Sequence, residues 1–270
     1  PVVASFSILA DFVREVGGER VALTTLVGPD GDAHVYSPSP ADAKAMAAAS
    51  LVVVNGLKFE GWLTRLLKSS GTKAKLATAT EGITPLKMQD DGHGHGHGGE
   101  DPHAWQSVSN AKVYVANILK ALSAADPAGK AIYEANAAAY LAKLDALETE
   151  IKAAVARIPA DRRKAITSHD AFAYFAKAYG IAFVAPQGVS TEAEASARDV
   201  GRIIRQVKAQ KVPAVFLENI SNPRLAEQIA RESGARIGGR LYSDALSGSD
   251  GPAGTYIAMM KHNISQIEKA

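Results

Sequence analysis

Residues 123–158 read SAADPAGKAIYEANAAAYLAKLDALETEIKAAVARI, and their spacing predicts one long helix. Asp126 is expected to cap it and Pro127 to occupy the first helical position, where a missing N–H costs nothing because that donor would be unpaired anyway. Tyr133, Ala137, Tyr140, Leu144, Leu147, Ile151, Val155 and Ile158 recur at steps of three and four, an apolar stripe along one face. Pro159 ends the run. At a rise of roughly 1.5 Å per residue, residues 127 to 158 would form a rod on the order of 45–50 Å long, enough to cross two small lobes. A strut between two halves and a long helix inside one domain fit this pattern equally. The flanking sequence separates the two readings.

Outward from this stretch, strands and helices alternate on both sides. Before it, strands are expected over 2–8, 21–27, 51–54, 75–77 and 84–88, with helices over 9–16, 41–49, 60–68 and 108–123. After it come strands over 164–167, 181–184, 214–217 and 236–241, and helices over 171–179, 195–209, 223–233 and from 252 onward. This βαβ rhythm belongs to parallel sheets covered by helices. The expected architecture is α/β: an N-terminal lobe over 1–125, a linking helix over 126–158 and a C-terminal lobe over 159–270. In open parallel sheets ligands gather at the carboxyl ends of the strands, so residues just past strands are the ones to inspect.

Composition narrows the functions. With 270 residues, 47% hydrophobic and 21% charged, the chain can bury one large core or two smaller ones. A formal charge of +2 gives no ground for a nucleic-acid or membrane-surface partner. No apolar run approaches the ~20 residues needed to span a bilayer. The start at Pro1 suggests a processed N-terminus from which an export signal was removed. The absence of cysteine excludes thiolate metal sites, disulfides and cysteine nucleophiles. It also removes a lipid-anchoring Cys, which favours a free periplasmic protein.

One segment stands apart: Asp90-Asp91-Gly92-His93-Gly94-His95-Gly96-His97-Gly98-Gly99-Glu100. Such a glycine-rich sequence cannot bury a core, so a mobile surface loop is expected over about 89–102. Solvation alone leaves the three histidines unexplained. Imidazole suits Zn²⁺, Cu²⁺ and Ni²⁺, and a flexible cluster of it makes a weak, exchangeable metal site, so His93, His95 and His97 are read as auxiliary ligands.

Four other histidines remain. His34 follows the second strand, His103 lies in Asp101-Pro102-His103-Ala104-Trp105, and His169 ends a strand in Ser168-His169-Asp170. His262, within the final helix, reads as a surface residue. The strand ending at Leu241 delivers Asp244. Any one of these alone would be a cap, a surface group or a satisfied core residue; their coincidence at strand ends on both sides of the strut makes the case. Three imidazoles and one carboxylate satisfy tetrahedral zinc without thiolate, two from each lobe. H-E-x-x-H, G-x-S-x-G and G-x-x-x-x-G-K-[ST] are all absent.

Read together, several stretches carry a resemblance. They are Val3-Ala4-Ser5-Phe6-Ser7-Ile8-Leu9, Leu26-Val27-Gly28-Pro29 with Asp32-Ala33-His34, Asn55-Gly56-Leu57 with Phe59-Glu60-Gly61-Trp62, and Asp101 to Trp105. Ser168-His169-Asp170-Ala171-Phe172, Ser190-Thr191-Glu192-Ala193-Glu194 and Leu241-Tyr242-Ser243-Asp244 complete the set. The chain resembles the cluster A-I substrate-binding proteins of bacterial ABC importers for zinc and manganese, most closely the zinc-specific, ZnuA- and AztC-like members. The resemblance implies two α/β lobes joined by a rigid backbone helix, with the metal in the cleft between them. It makes His34 and His103 the N-lobe ligands and His169 and Asp244 the C-lobe ligands. Manganese-type members tend to carry a carboxylate at the position of His169, so imidazole there argues for zinc. Some zinc members place a Glu immediately before the first histidine; Ala33 stands there here, which makes Asp244 the better candidate for the fourth ligand, with water as the alternative. Glu192 and Glu194 are read as loop groups and Glu60 as a helix start.

The resemblance implies a monomeric periplasmic receptor that binds Zn²⁺ as cargo and presents it to an inner-membrane ABC permease, with a periplasmic zinc metallochaperone as a further partner. It implies no enzymatic activity. A manganese or iron receptor of the same family is the alternative, and a zinc hydrolase using Glu192 or Glu194 as base, or an adhesin, ranks below both.

Overall fold

In the computed structural model, the structure describes residues 1–88 and 99–270; His93, His95 and His97 lie outside the described residues. The chain opens with β1 (Val2–Phe6), a strand buried along its whole length, and α1 (Ser7–Gly17), which ends where Gly18 takes a positive φ of 55°. There follow β2 (Leu23–Val27), α2 (Pro40–Ala48), β3 (Leu51–Val54), α3 (Leu63–Ser70), β4 (Lys75–Thr78) and α4 (Val108–Ala125). All pairings in the first sheet are parallel, in the order β2-β1-β3-β4.

After the long helix α5 (Lys130–Arg157) the pattern repeats. It runs β5 (Lys164–Ile166), α6 (Ala173–Tyr179), β6 (Ala182–Val184), α7 (Ala197–Gln210), β7 (Ala214–Glu218), α8 (Arg224–Ser233), β8 (Arg236–Leu241) and α9 (Tyr256–Lys269). The second sheet is again parallel, in the order β6-β5-β7-β8. In each lobe the third strand pairs with the first, on the side away from the second. The order in which strands are added therefore switches side within each parallel sheet and opens a crevice at the strand carboxyl ends, where such folds bind ligands.

The two expected α/β lobes and the long helix between them are present. α5 begins at Lys130, after a 3₁₀ turn over Pro127–Gly129, and its 28 residues give a rod of about 42 Å. Asp126 makes no side-chain cap. Its carboxylate instead accepts hydrogen bonds from the Arg20 guanidinium and, at 2.6 Å, from the Tyr133 hydroxyl, tying the start of the strut to the N-lobe. Every residue of the apolar stripe is buried, from Tyr133 to Ile158. This face packs against α1 and α4 on one lobe and α9 on the other.

Three other expectations change. The strand at 84–88 does not form: Lys87 makes an isolated antiparallel bridge to Glu100, and the Met88 N–H donates to the Gly99 carbonyl at 2.9 Å. Residues 99–102, expected within a mobile loop, are thus tied down, with Asp101 and Pro102 buried. The helix expected from Glu60 starts at Leu63, and Glu60 is a buried acceptor whose carboxylate takes hydrogen bonds from Ser5 Oγ and the Asn55 N–H, each at 2.6 Å. Among the described residues no helix is long and apolar enough to cross a membrane.

One continuous hydrophobic core runs from the N-lobe through α5 into α9. A second, smaller core, including Ile166, Ile203, Val215 and Ile229, holds α7 and α8 on the C-lobe sheet. Phe12 of α1 is fully buried where the two lobes and the strut meet, with ring centroids 5.6 Å from Tyr114, 6.3 Å from Tyr140 and 4.8 Å from Tyr256. The Asp11 carboxylate beside it accepts the Tyr256 N–H of α9 at 2.8 Å. Phe12→Ala is expected to lower the unfolding free energy of metal-free protein by about 3–5 kcal/mol, read from denaturant titration, because this junction is packed on every side.

Candidate metal centre

The four residues singled out from the sequence, although far apart in the chain, converge between the lobes. His34 lies on the loop after β2, His103 just before α4, His169 just after β5 and Asp244 just after β8. Each offers a ligand atom, and these atoms all lie within 4.8 Å of one another. His34 Nε2 is 2.9 Å from Asp244 Oδ2 and 3.3 Å from His103 Nε2. His169 Nε2 is 3.2 Å from the same carboxylate oxygen. Asp244 Oδ1 lies 3.3 Å from His103 Nε2 but without hydrogen-bonding geometry. Tetrahedral zinc with bonds of about 2.0–2.1 Å sets neighbouring ligand atoms roughly 3.3 Å apart, close to the 2.9, 3.3 and 3.2 Å of the pairs above. His103, His169 and Asp244 are 0% exposed and His34 is 7% exposed, so solvent reaches the cluster from the His34 side.

The imidazoles are held in place by carboxylates behind them. Asp101 Oδ1 accepts both the His103 N–H, at 3.0 Å, and its ring Nδ1, at 2.7 Å. Glu218 does the same for His169, one oxygen on the backbone N–H at 2.8 Å and the other on Nδ1 at 2.6 Å. A carboxylate on Nδ1 keeps the proton there and leaves the Nε2 lone pair for a cation, while raising the ring's basicity. Neither role was assigned from sequence. The signal for Glu218 is a carboxylate at the carboxyl end of a central strand, and for Asp101 its place two residues before a histidine across a proline.

A further layer fixes the loops. The Trp62 indole donates to the Ala33 carbonyl at 2.7 Å, and Asn55 Nδ2 to the Pro102 carbonyl at 3.0 Å. The Tyr114 hydroxyl donates in turn to Asn55 Oδ1 at 2.5 Å. Phe59 stands edge-on to His34, and Trp105 edge-on to His103. Across the cleft, the Trp105 indole and Gln106 Nε2 both donate to the Ser243 carbonyl, at 3.0 and 2.9 Å. His262 is half-exposed, with Nε2 2.9 Å from the Arg240 carbonyl, and takes no part; Glu192 and Glu194 are exposed loop residues.

Burial opposes charge on His103, but Asp244 and Asp101 outweigh it and hold the imidazole up at about 9. Burial likewise opposes charge on His169, and Glu218 with Asp244 overcomes it, raising that ring well above its ordinary value. Burial would raise the Asp244 carboxyl, yet His103 and His169 hold it well below the usual range. Without a cation, the cluster is thus a buried carboxylate neutralised by protonated imidazoles. A divalent cation that displaced those protons would find four donor atoms within 4.8 Å of one another.

The family model described as "Zinc-uptake complex component A periplasmic" matches residues 2–270. The iron-binding protein YfeA of Yersinia pestis is 36% identical over 268 residues, 99% of this chain and 85% of the relative. The manganese-binding lipoprotein MntA of Halalkalibacterium halodurans is 37% identical over 264 residues, covering 97% and 85%. The solved structure of the periplasmic zinc binding protein TroA from Treponema pallidum superposes with a TM-score of 0.92 at 29% identity, over 99% of this chain and 97% of that one. With a fold, a buried donor cluster and a full-length match in agreement, the chain belongs to the ZnuA family, the metal-binding receptors of ABC importers, which are not enzymes.

Proposed function

We propose that this protein is a periplasmic zinc receptor that holds Zn²⁺ at His34, His103, His169 and Asp244 and presents it to an inner-membrane ABC permease. The observation that supports this reading is the convergence of three Nε2 atoms and one carboxylate in a buried cluster that solvent reaches only at His34. An imidazole-rich set of four suits zinc, whereas manganese favours more oxygen ligands. His169 is the discriminating position, because it supplies nitrogen where a carboxylate would make the site harder. A manganese or iron receptor is the second reading, favoured by the printed names of the iron- and manganese-binding relatives. The histidines at 93, 95 and 97 are proposed as an auxiliary capture site. The protein is expected to act as a monomer, and a periplasmic metallochaperone is a further proposed partner.

A chelator-competition titration with Zn²⁺ and Mn²⁺, on intact protein and on a form lacking residues 91 to 99, tests this. The expected result is tight one-to-one zinc binding that exceeds manganese binding and survives the deletion. A preference for manganese, or loss of zinc binding with the deleted segment, overturns it.

Replacing His169 by Ala is expected to weaken zinc binding by more than ~100-fold. Glu218→Gln, which leaves the ligand in place but no longer fixes its proton, should cost roughly 10–100-fold. Equal losses in the two variants would mean that His169 is not itself a ligand.

Binding should also depend on pH with a definite sign. His103 in the metal-free protein releases its proton only near pH 9, so zinc must displace it at neutral pH. Apparent affinity is expected to rise from pH 6 to 8 by about tenfold per unit for each proton displaced, together with proton release into weakly buffered solution. The same titration in a metal-free stability profile runs the other way: the favourable contribution of protonated His103 is complete below its ordinary value of 6.5 and fades as pH rises through about 9.

A further inference from the structure

The stretch Ser190-Thr191-Glu192-Ala193-Glu194 takes no part in the donor cluster, yet it is built into a hook that joins the two lobes beside it. The base of the hook is Gln187, which forms an isolated parallel bridge with His169. Its backbone N–H donates to the Ser168 carbonyl at 3.3 Å, and its carbonyl accepts the Asp170 N–H at 3.2 Å, so it grips His169 on both flanks. The Gln187 side-chain amide turns the loop back on itself by donating to the carbonyls of Thr191, at 3.2 Å, and Ala193, at 2.8 Å. At the tip, the Thr191 hydroxyl crosses the cleft and donates to Asp32 Oδ2 at 2.6 Å. The other oxygen of that carboxylate, Oδ1, accepts the His34 N–H at 2.9 Å. A single hydrogen bond thus links the segment that carries His169 to the segment that carries His34.

This bond also lines an opening. A cavity of about 340 Å³ is walled by Asp32, Ser168, Gln187, Thr191 and Glu194 among others. Its inner wall is one residue from His169 and two from His34, the one member of the cluster that solvent reaches. Ser168 Oγ, buried in that wall, is bonded by no described residue. One side of the wall is thus polar, running from the exposed carboxylate of Glu194 to Asp32 and Ser168, and offers a hydrated cation oxygen atoms; Arg224, Ile220 and Leu225 form the other side.

We propose that this cavity is the passage by which the cation enters and leaves, and that Thr191 is a positioning residue whose bond to Asp32 latches the passage shut. The proposal rests on the reading of the protein as a metal receptor. Opening the hook releases the Asp32 side chain from Thr191 and lets the segment from Asp32 to His34 shift, pivoting on Asp30, which stays bonded to the Leu246 carbonyl and Asn219, and so exposes the cluster while leaving the strut unchanged. The rate of metal exchange is then set by the latch rather than by separation of the lobes.

The test compares wild type, Thr191→Val and Thr191→Ser. Each is loaded with Zn²⁺, and release to excess chelator is followed by stopped flow; the visible spectrum of the Co²⁺-loaded form reports the coordination itself. Loss of one hydrogen bond to a carboxylate is expected to speed release about tenfold in Thr191→Val. The Co²⁺ spectrum should be unchanged, and Thr191→Ser, which keeps the hydroxyl, should restore the wild-type rate. Equal release rates in wild type and Thr191→Val overturn the latch. A changed Co²⁺ spectrum, or a serine variant as fast as the valine one, also overturns it, because Thr191 would then act through the packing of the loop. Wild-type protein that binds neither ion would instead remove the receptor reading itself.

Discussion

Everything in this structure turns on the need to bury the Asp244 carboxylate. A charge taken wholly out of water is tolerated only when it is paired and hydrogen-bonded, and three imidazoles surround this one. Two of those imidazoles have buried carboxylates of their own behind them, Asp101 and Glu218. The result is alternating charge in which each member depends on its neighbours. Removing any one leaves another uncompensated. Such a cluster is a poor device for stability but a good one for specificity, because only a cation that satisfies all four donors at once can take the place of the protons.

The cluster exists only if the lobes are held at a fixed distance, and the apolar face of α5 does this. It shares one core with α1 and α4 of the first lobe and α9 of the second, so the lobes cannot separate without exposing Tyr133, Tyr140, Leu147 and Ile151. At roughly 25 cal/mol per Å² of apolar surface, that exposure is prohibitive for a routine motion. Exchange of cargo must then come from smaller movements. The loops at the strand carboxyl ends, held across the cleft by side-chain hydrogen bonds such as Thr191 to Asp32, have the freedom that the strut lacks.

The repeated strand order gives the site its symmetry. In each sheet the order in which strands are added switches side between the first and third strands, and each lobe contributes two members of the cluster, three of them following strands and His103 preceding α4. Glu218 comes from the end of β7 and the Asn55–Glu60 network from the segment after β3. The ends of β3 and β7 supply supports, while the segments after β2, β5 and β8 and before α4 supply donors. This division explains why the imidazoles are oriented before any cation arrives.

Much of this was legible in the sequence. The three-and-four spacing from Tyr133 to Ile158 reports which face of a helix is buried, because that periodicity is a local property of the backbone. The βαβ rhythm predicted two parallel sheets, and histidines just past strands pointed to the cleft. Local pattern failed where distant residues decide. Asp126 has the form of a helix cap, yet Arg20, 106 residues away, claims its carboxylate. Glu60 reads as a helix start, yet Ser5 and Asn55 draw it into the core. Residues 84–88 have strand character but pair only through Lys87 and Glu100, since no neighbouring strand offers a full ladder. The sequence by itself determined the strut, the lobes and the kinds of donor group. Only the tertiary structure decided which carboxylates orient the imidazoles and which side chains cross the cleft, because those partners are set by packing between segments that no spacing along the chain connects.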